Sequence, residues 1–189
     1  MRLTHILALA LAGVATTARA ENADYARVIS SVTLSFEPNG QTDRAVLVAN
    51  ANDGADLYVY FNVTPPHDDK ITKPAMVKGS AAWSGAMWGT YPSLAVAAKG
   101  ALQIKSENDG VGRNRWSQTL TVIYRNKEFI VAGVTRAARD TLDPKASGAC
   151  DLNLLTGKGL RNGKAVTTKT PAIKLADWSD EKLPAECQF

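Results

Sequence analysis

Residues 116–135 read WSQTLTVIYRNKEFIVAGVT, and this stretch decides the fold. Two β-prone runs, 116–124 and 128–135, flank Arg125-Asn126-Lys127, which supplies the bend of a hairpin. The same period of two continues on either side. Upstream, Leu102 and Ile104 alternate with Gln103 and Lys105. Further upstream, Val32, Leu34 and Phe36 alternate with Ser31, Thr33 and Ser35, and Asn39-Gly40 closes that strand with a turn. Residues 45–48 read as a buried strand that Asn52-Asp53-Gly54 breaks, since these residues tolerate positive φ. Leu57, Val59, Phe61 and Val63 then face one way and Tyr58, Tyr60 and Asn62 the other, which completes an antiparallel meander. Downstream, 151–155 and 165–169 flank a Gly-rich connection with Asn162-Gly163 as a tight-turn dipeptide. An edge strand is expected within 173–178, and a helical turn over 179–183 stopped by Pro184. Pro65, Pro66 and Pro74 argue for loops and one short helix between 64 and 91, and 92–99 reads as a helical turn or two. The expectation is a mainly β chain, a single antiparallel domain over 21–189 with about eight or nine strands, short helical segments and one disulfide.

The first twenty residues, MRLTHILALALAGVATTARA, follow a different logic. Arg2 gives a positive start, residues 6–14 a short apolar run, and Ala18-Arg19-Ala20 a small-x-small cleavage pattern. That order predicts a cleaved secretory signal at 1–20 and a periplasmic or secreted product. The apolar run is about half of the ~20 residues that span a bilayer, so no transmembrane anchor is expected. Of the 22 Lys and Arg, Arg2 and Arg19 leave with the leader, and the rest nearly balance 18 Asp and Glu. Such a balance carries no electrostatic case for nucleic acid. Cys150 and Cys187, both in the exported part, are expected to form one disulfide that pins the C-terminal tail.

Chemistry-bearing motifs are few. His67 is the one histidine beyond the leader, and Pro65-Pro66-His67-Asp68-Asp69-Lys70 reads as a solvated loop. Residues 37–43 and 50–56 are Asn/Asp/Gly-rich like calcium loops, yet Gln41 and Ala51 stand at ligand positions, so ordinary turn chemistry is the plainer reading. No P-loop, dinucleotide fingerprint or metal-ligand spacing is present, and no cofactor is expected. Carboxylates for glycoside hydrolysis exist in ordinary numbers without a recognisable pair. Ser179 to Lys182 has S-x-x-K spacing but sits in a short polar tail.

The most concentrated polar motif is 106–116, Ser-Glu-Asn-Asp-Gly-Val-Gly-Arg-Asn-Arg-Trp. Alternation puts Arg113 and Arg115 on one strand face and Asn114 and Trp116 on the other. Arg136, Arg139 and Asp140 follow the hairpin closely enough to approach them. Guanidinium forks suit carboxylate or phosphate, and a Trp edge suits a sugar or peptide. Arg113, Arg115, Trp116 and Arg136 are therefore the candidate binding residues. The competing reading pairs these Arg side chains with Glu107, Asp109, Glu128 and Asp140 as surface ion pairs.

Several segments together resemble a group of small exported bacterial proteins with a degenerate FG-GAP/VCBS-like N-terminal part. They are Asp43-Arg44-Ala45-Val46-Leu47-Val48, Asp56-Leu57-Tyr58-Val59-Tyr60, Arg115-Trp116 with its hairpin, Leu154-Leu155-Thr156-Gly157-Lys158 and Asn162-Gly163-Lys164. Within the hairpin, Tyr124-Arg125-Asn126, Phe129 and Gly133 fit the pattern. The resemblance implies export and a β-rich fold, and it implies no activity. The functional expectation is a non-catalytic envelope binding module for an anionic glycan, a lipid headgroup or another envelope protein. An envelope hydrolase acting on glycan or ester, and a hydrolase inhibitor using the 109–115 loop, are the alternatives.

Overall fold

The computed structural model describes residues 27–63 and 73–189; residues 1–20, expected to be a leader, and His67 lie outside the described residues. The chain is mainly β, as its alternation implies, and its strands form two antiparallel sheets. The smaller sheet runs in chain order through β1 (Val28–Leu34), β2 (Asp43–Ala49), β3 (Gly54–Tyr60) and β4 (Met76–Trp83). The larger begins with β5 (Ser93–Val96), β6 (Leu102–Asn108), β7 (Asn114–Arg125) and β8 (Glu128–Asp140). It continues through β9 (Gly148–Asn153), β10 (Lys158–Arg161) and β11 (Lys164–Thr167). The short β12 (Ile173–Lys174) returns to pair with β8.

Turn chemistry explains the hairpins. Arg125 pairs with Glu128, leaving a two-residue bend in which Asn126 and Lys127 take φ of 53° and 63°. Asn162 and Gly163, at 49° and 74°, do the same between β10 and β11. Two successive positive φ angles match the right-handed twist of the flanking strands. The described strands number twelve, more than the eight or nine expected. The excess comes from reading proline as strand-excluding: Pro74 and Pro92 stand just before β4 and β5, where no ladder donor is lost. The helical turn expected at 92–99 is instead β5 followed by a tight turn over Ala98–Gly100. A further strand, β10, occupies part of the Gly-rich connection.

One apolar core joins the two sheets. Leu47, Leu57 and Val59 of the small sheet belong to the same cluster as Leu102, Ile104, Val122, Val131 and Leu152 of the large one. Each such side chain contributes about 1.5–3 kcal/mol on burial. Phe36, Phe61, Tyr124 and Phe129 add an aromatic group, with Phe36 and Phe129 ring centroids 5.1 Å apart. The tail supplies Leu175 and Trp178 to the core and is fastened by the Cys150–Cys187 disulfide, Cα–Cα 5.3 Å.

The two Asn/Asp-rich loops use their oxygens internally. Asp43, buried, accepts the Phe36 and Asn62 N–H groups, and Asn50 Oδ1 accepts those of Asn52 and Gly54. Asp56 Oδ1 accepts from Asn50 and from the N–H of Ser80, which lies in the register irregularity of β4 with φ 48°. Among the described residues no helix is long and apolar enough to cross a membrane.

Candidate binding site

Strand β7 sorts the candidate residues. Gln118, Leu120 and Val122 are buried, so the face they share with Trp116 points inward, while Arg115, Ser117 and Thr119 point outward. Across the ladder Arg115 opposes Arg139, and Gln118 opposes Arg136. The four expected binding residues are therefore divided: Arg115 lies outside, Trp116 and Arg136 inside. Arg113 precedes β7 altogether, since the strand begins at Asn114.

On the outer face a cavity of about 260 Å³ is lined by Glu107, Asp109, Arg115, Ser117 and Arg139 among others. Arg139 Nη2 is 2.5 Å from Asp109 Oδ1. Arg115 has no such partner: its Nη1 is shielded from solvent and meets no hydrogen-bond acceptor. At the edge, Arg113 directs both Nε and Nη2 to Asp140 Oδ2 at 2.7 Å. That hydrogen bond holds the Asp140 carboxyl below the usual carboxylate range, helped by the Leu142 N–H, and correspondingly raises Arg113. Half of the surface ion-pair reading thus applies, to Arg113 and Arg139.

The loop between β6 and β7 is held from within. Asn108 accepts the Val111 N–H at 2.8 Å and donates to the carbonyls of Val111 and Asn114 at 2.9 and 3.0 Å. It lies against the neighbouring turn Ala86–Trp88, where Gly110 leaves no room for a side chain beside Trp88.

On the inner face the Arg136 guanidinium sits over Trp116, 4.9 Å from the ring centroid. Arg136 Nη1 donates to Gln118 Oε1 at 2.7 Å, and Gln118 Nε2 donates to Asp180 Oδ1 at 3.1 Å. Burial pushes the Arg136 pKa down, and the Asp180 charge partly opposes it. Trp116 in turn supports Trp83, with centroids 5.8 Å apart. This chain of contacts backs a second hollow of about 230 Å³ between β4, the inner face of β6 and β7, and the tail.

Sequence reasoning missed Gln118 and Asp180. Alternation from Trp116 puts Gln118 on the inner face, a signal that was available. Asp180 arrives from 62 residues away, and no local pattern announces it. Compared with protein-family models, curated proteins and solved structures, the chain matches none.

Proposed function

We propose that this chain is an exported, non-catalytic binding module of the bacterial envelope, and that it holds an anionic glycan at the outer cavity around Arg115. The supporting observation is the Arg115 guanidinium, with a shielded donor that lacks an acceptor and a second guanidinium, Arg139, directly opposite. Arg139 is already answered by Asp109, whereas an unmet buried donor such as Arg115 Nη1 costs about 1–3 kcal/mol. A carboxylate or phosphate oxygen in the cavity supplies the acceptor that Arg115 lacks. Arg113, engaged by Asp140, shapes the rim and stays out of recognition. The leader-like sequence and the disulfide favour an oxidising compartment outside the cytoplasm, and the resemblance to small exported bacterial proteins belongs to the same proposal.

Capture on peptidoglycan, lipopolysaccharide and envelope extract, at low and moderate salt, tests the reading. Salt-sensitive capture abolished by Arg115→Glu and largely kept by Arg113→Ala is the expected result. Absence of capture on every bait sinks it, and capture on extract alone moves the partner to a lipid or a protein. One observation favours a second reading, a hydrolase inhibitor. The 108–114 loop is braced by three Asn108 hydrogen bonds, beside Met87 and Trp88, which are 82% and 56% exposed. A braced, exposed loop loses little entropy on entering a cleft. Recovery of one envelope hydrolase from the extract, with dose-dependent loss of its activity, distinguishes this case.

A further inference from the structure

The hollow on the inner face is separate from the Arg115 cavity and differs from it in chemistry. Its floor carries Gln118, only 6% exposed yet lining the cleft. Arg136 can only donate, so it fixes the Gln118 amide with Oε1 toward itself and Nε2 toward Asp180. The amide orientation is thereby set before any ligand arrives. Ser106 and Ser179 add hydroxyls, and the indoles of Trp83 and Trp178 add apolar walls.

The charged groups lining this cleft, Lys78 and Asp180, are opposite in sign and both engaged within the protein. Lys78 Nζ donates to the Ala176 carbonyl at 3.2 Å, which also ties β4 to the tail. The Asp180 carboxylate takes the Gln118 amide and faces the Arg136 charge. What remains is a set of donors and acceptors between aromatic walls, with one cation and one anion and so no net charge to select a charged ligand. A volume of about 230 Å³ lies under the ~300–1,000 Å³ of sites for drug-sized ligands, so one ring-sized unit suits it. Aromatic walls with fixed hydrogen-bonding groups fit a ring that is apolar on its faces and hydroxylated at its rim.

We infer that the inter-sheet cleft lined by Trp83, Gln118, Trp178 and Asp180 is a binding site for a neutral saccharide unit. The site is built from three distant parts of the chain, and the tail contributes its acidic side, Asp180, as well as one aromatic wall. This inference is independent of the anion site on the opposite face.

Titration of the disulfide-intact protein with maltotriose, cellotriose and chitotriose, followed by NMR of the indole N–H signals, tests it, with glucuronate as the charged control. The expected result is saturable shifts at Trp83 and Trp178 with at least one neutral sugar. Affinity should fall about tenfold in Asp180→Ala, less in Ser179→Ala, and stay unchanged in Arg115→Glu. Ser179→Ala serves as the cleft variant if Asp180→Ala fails to fold. The inference is overturned by the absence of saturable shifts with all three sugars or by tighter binding of glucuronate. It is equally overturned by shifts that neither cleft variant alters.

Discussion

Asp140 accepts from Arg113 on one oxygen and from the Leu142 and Asp143 N–H groups on the other. Its carboxyl therefore titrates below its ordinary 3.8. A group whose native pKa is depressed contributes stability above its unfolded pKa and loses it as pH falls through the native value. The Arg113–Asp140 pair thus matters at pH above about 4 and fades in stronger acid. An NMR titration should place the Asp140 midpoint below 3.8, and Arg113→Ala should move it upward. Gln118 carries a different kind of weight. Gln118→Leu removes the acceptor of Arg136 and the donor to Asp180 in a buried setting, with an expected cost of ~2 kcal/mol in urea unfolding. Alternation placed Arg115 and Trp116 on opposite faces correctly. It misplaced Arg113 beside Arg115, because alternation holds only within a strand and β7 starts one residue later.

The tail is the element that closes the cleft, and two features hold it. The disulfide joins positions 37 residues apart, for which loop entropy gives roughly 3–4 kcal/mol. Calorimetry of Cys150→Ser/Cys187→Ser should show a loss of that order, with a red-shifted Trp emission as Trp178 leaves the core. Arg161 adds hydrogen bonds to the Ala185 and Gln188 carbonyls and lies over the Phe189 ring. Glycines separate rigid contacts from yielding ones. A Cβ at Gly159 would meet the Asp151 carbonyl oxygen at 2.1 Å, which is backbone of the neighbouring strand. At Gly148 it would meet the Phe189 ring at 2.0 Å, a terminal side chain able to swing away. Gly159→Ala should therefore cost about 1–3 kcal/mol, and Gly148→Ala less, in paired denaturant melts. The pairing of Cys150 with Cys187 was legible from a count of two cysteines and an expected oxidising compartment. The strand β4 was not, because proline density obscured a run that begins only after Pro74.

A single apolar cluster draws on both sheets and on the tail. The expectation at this scale is one cooperative transition, with far-UV circular dichroism and Trp fluorescence giving the same midpoint. Two separated midpoints would show that the sheets unfold apart. The large sheet also explains how one motif serves two sites. Residues 115 and 116 are neighbours in the chain and both border the outer cavity, yet the Trp116 ring also stacks under Arg136, which holds Gln118 in the inner cleft.

The sequence by itself determined the β class, the hairpins at Asn126-Lys127 and Asn162-Gly163, the disulfide and the two-faced character of β7. All of these rest on local rules: side-chain period, turn residues that tolerate positive φ, and cysteine count. Only the tertiary structure decided which Arg is paired and which is left without an acceptor. It alone brought Asp180 to Gln118 and set β4 opposite β7 across a cleft. Those outcomes depend on contacts between residues far apart in the chain, and the physical reason is that such contacts are chosen by the packing of a shared core rather than by any neighbouring residue.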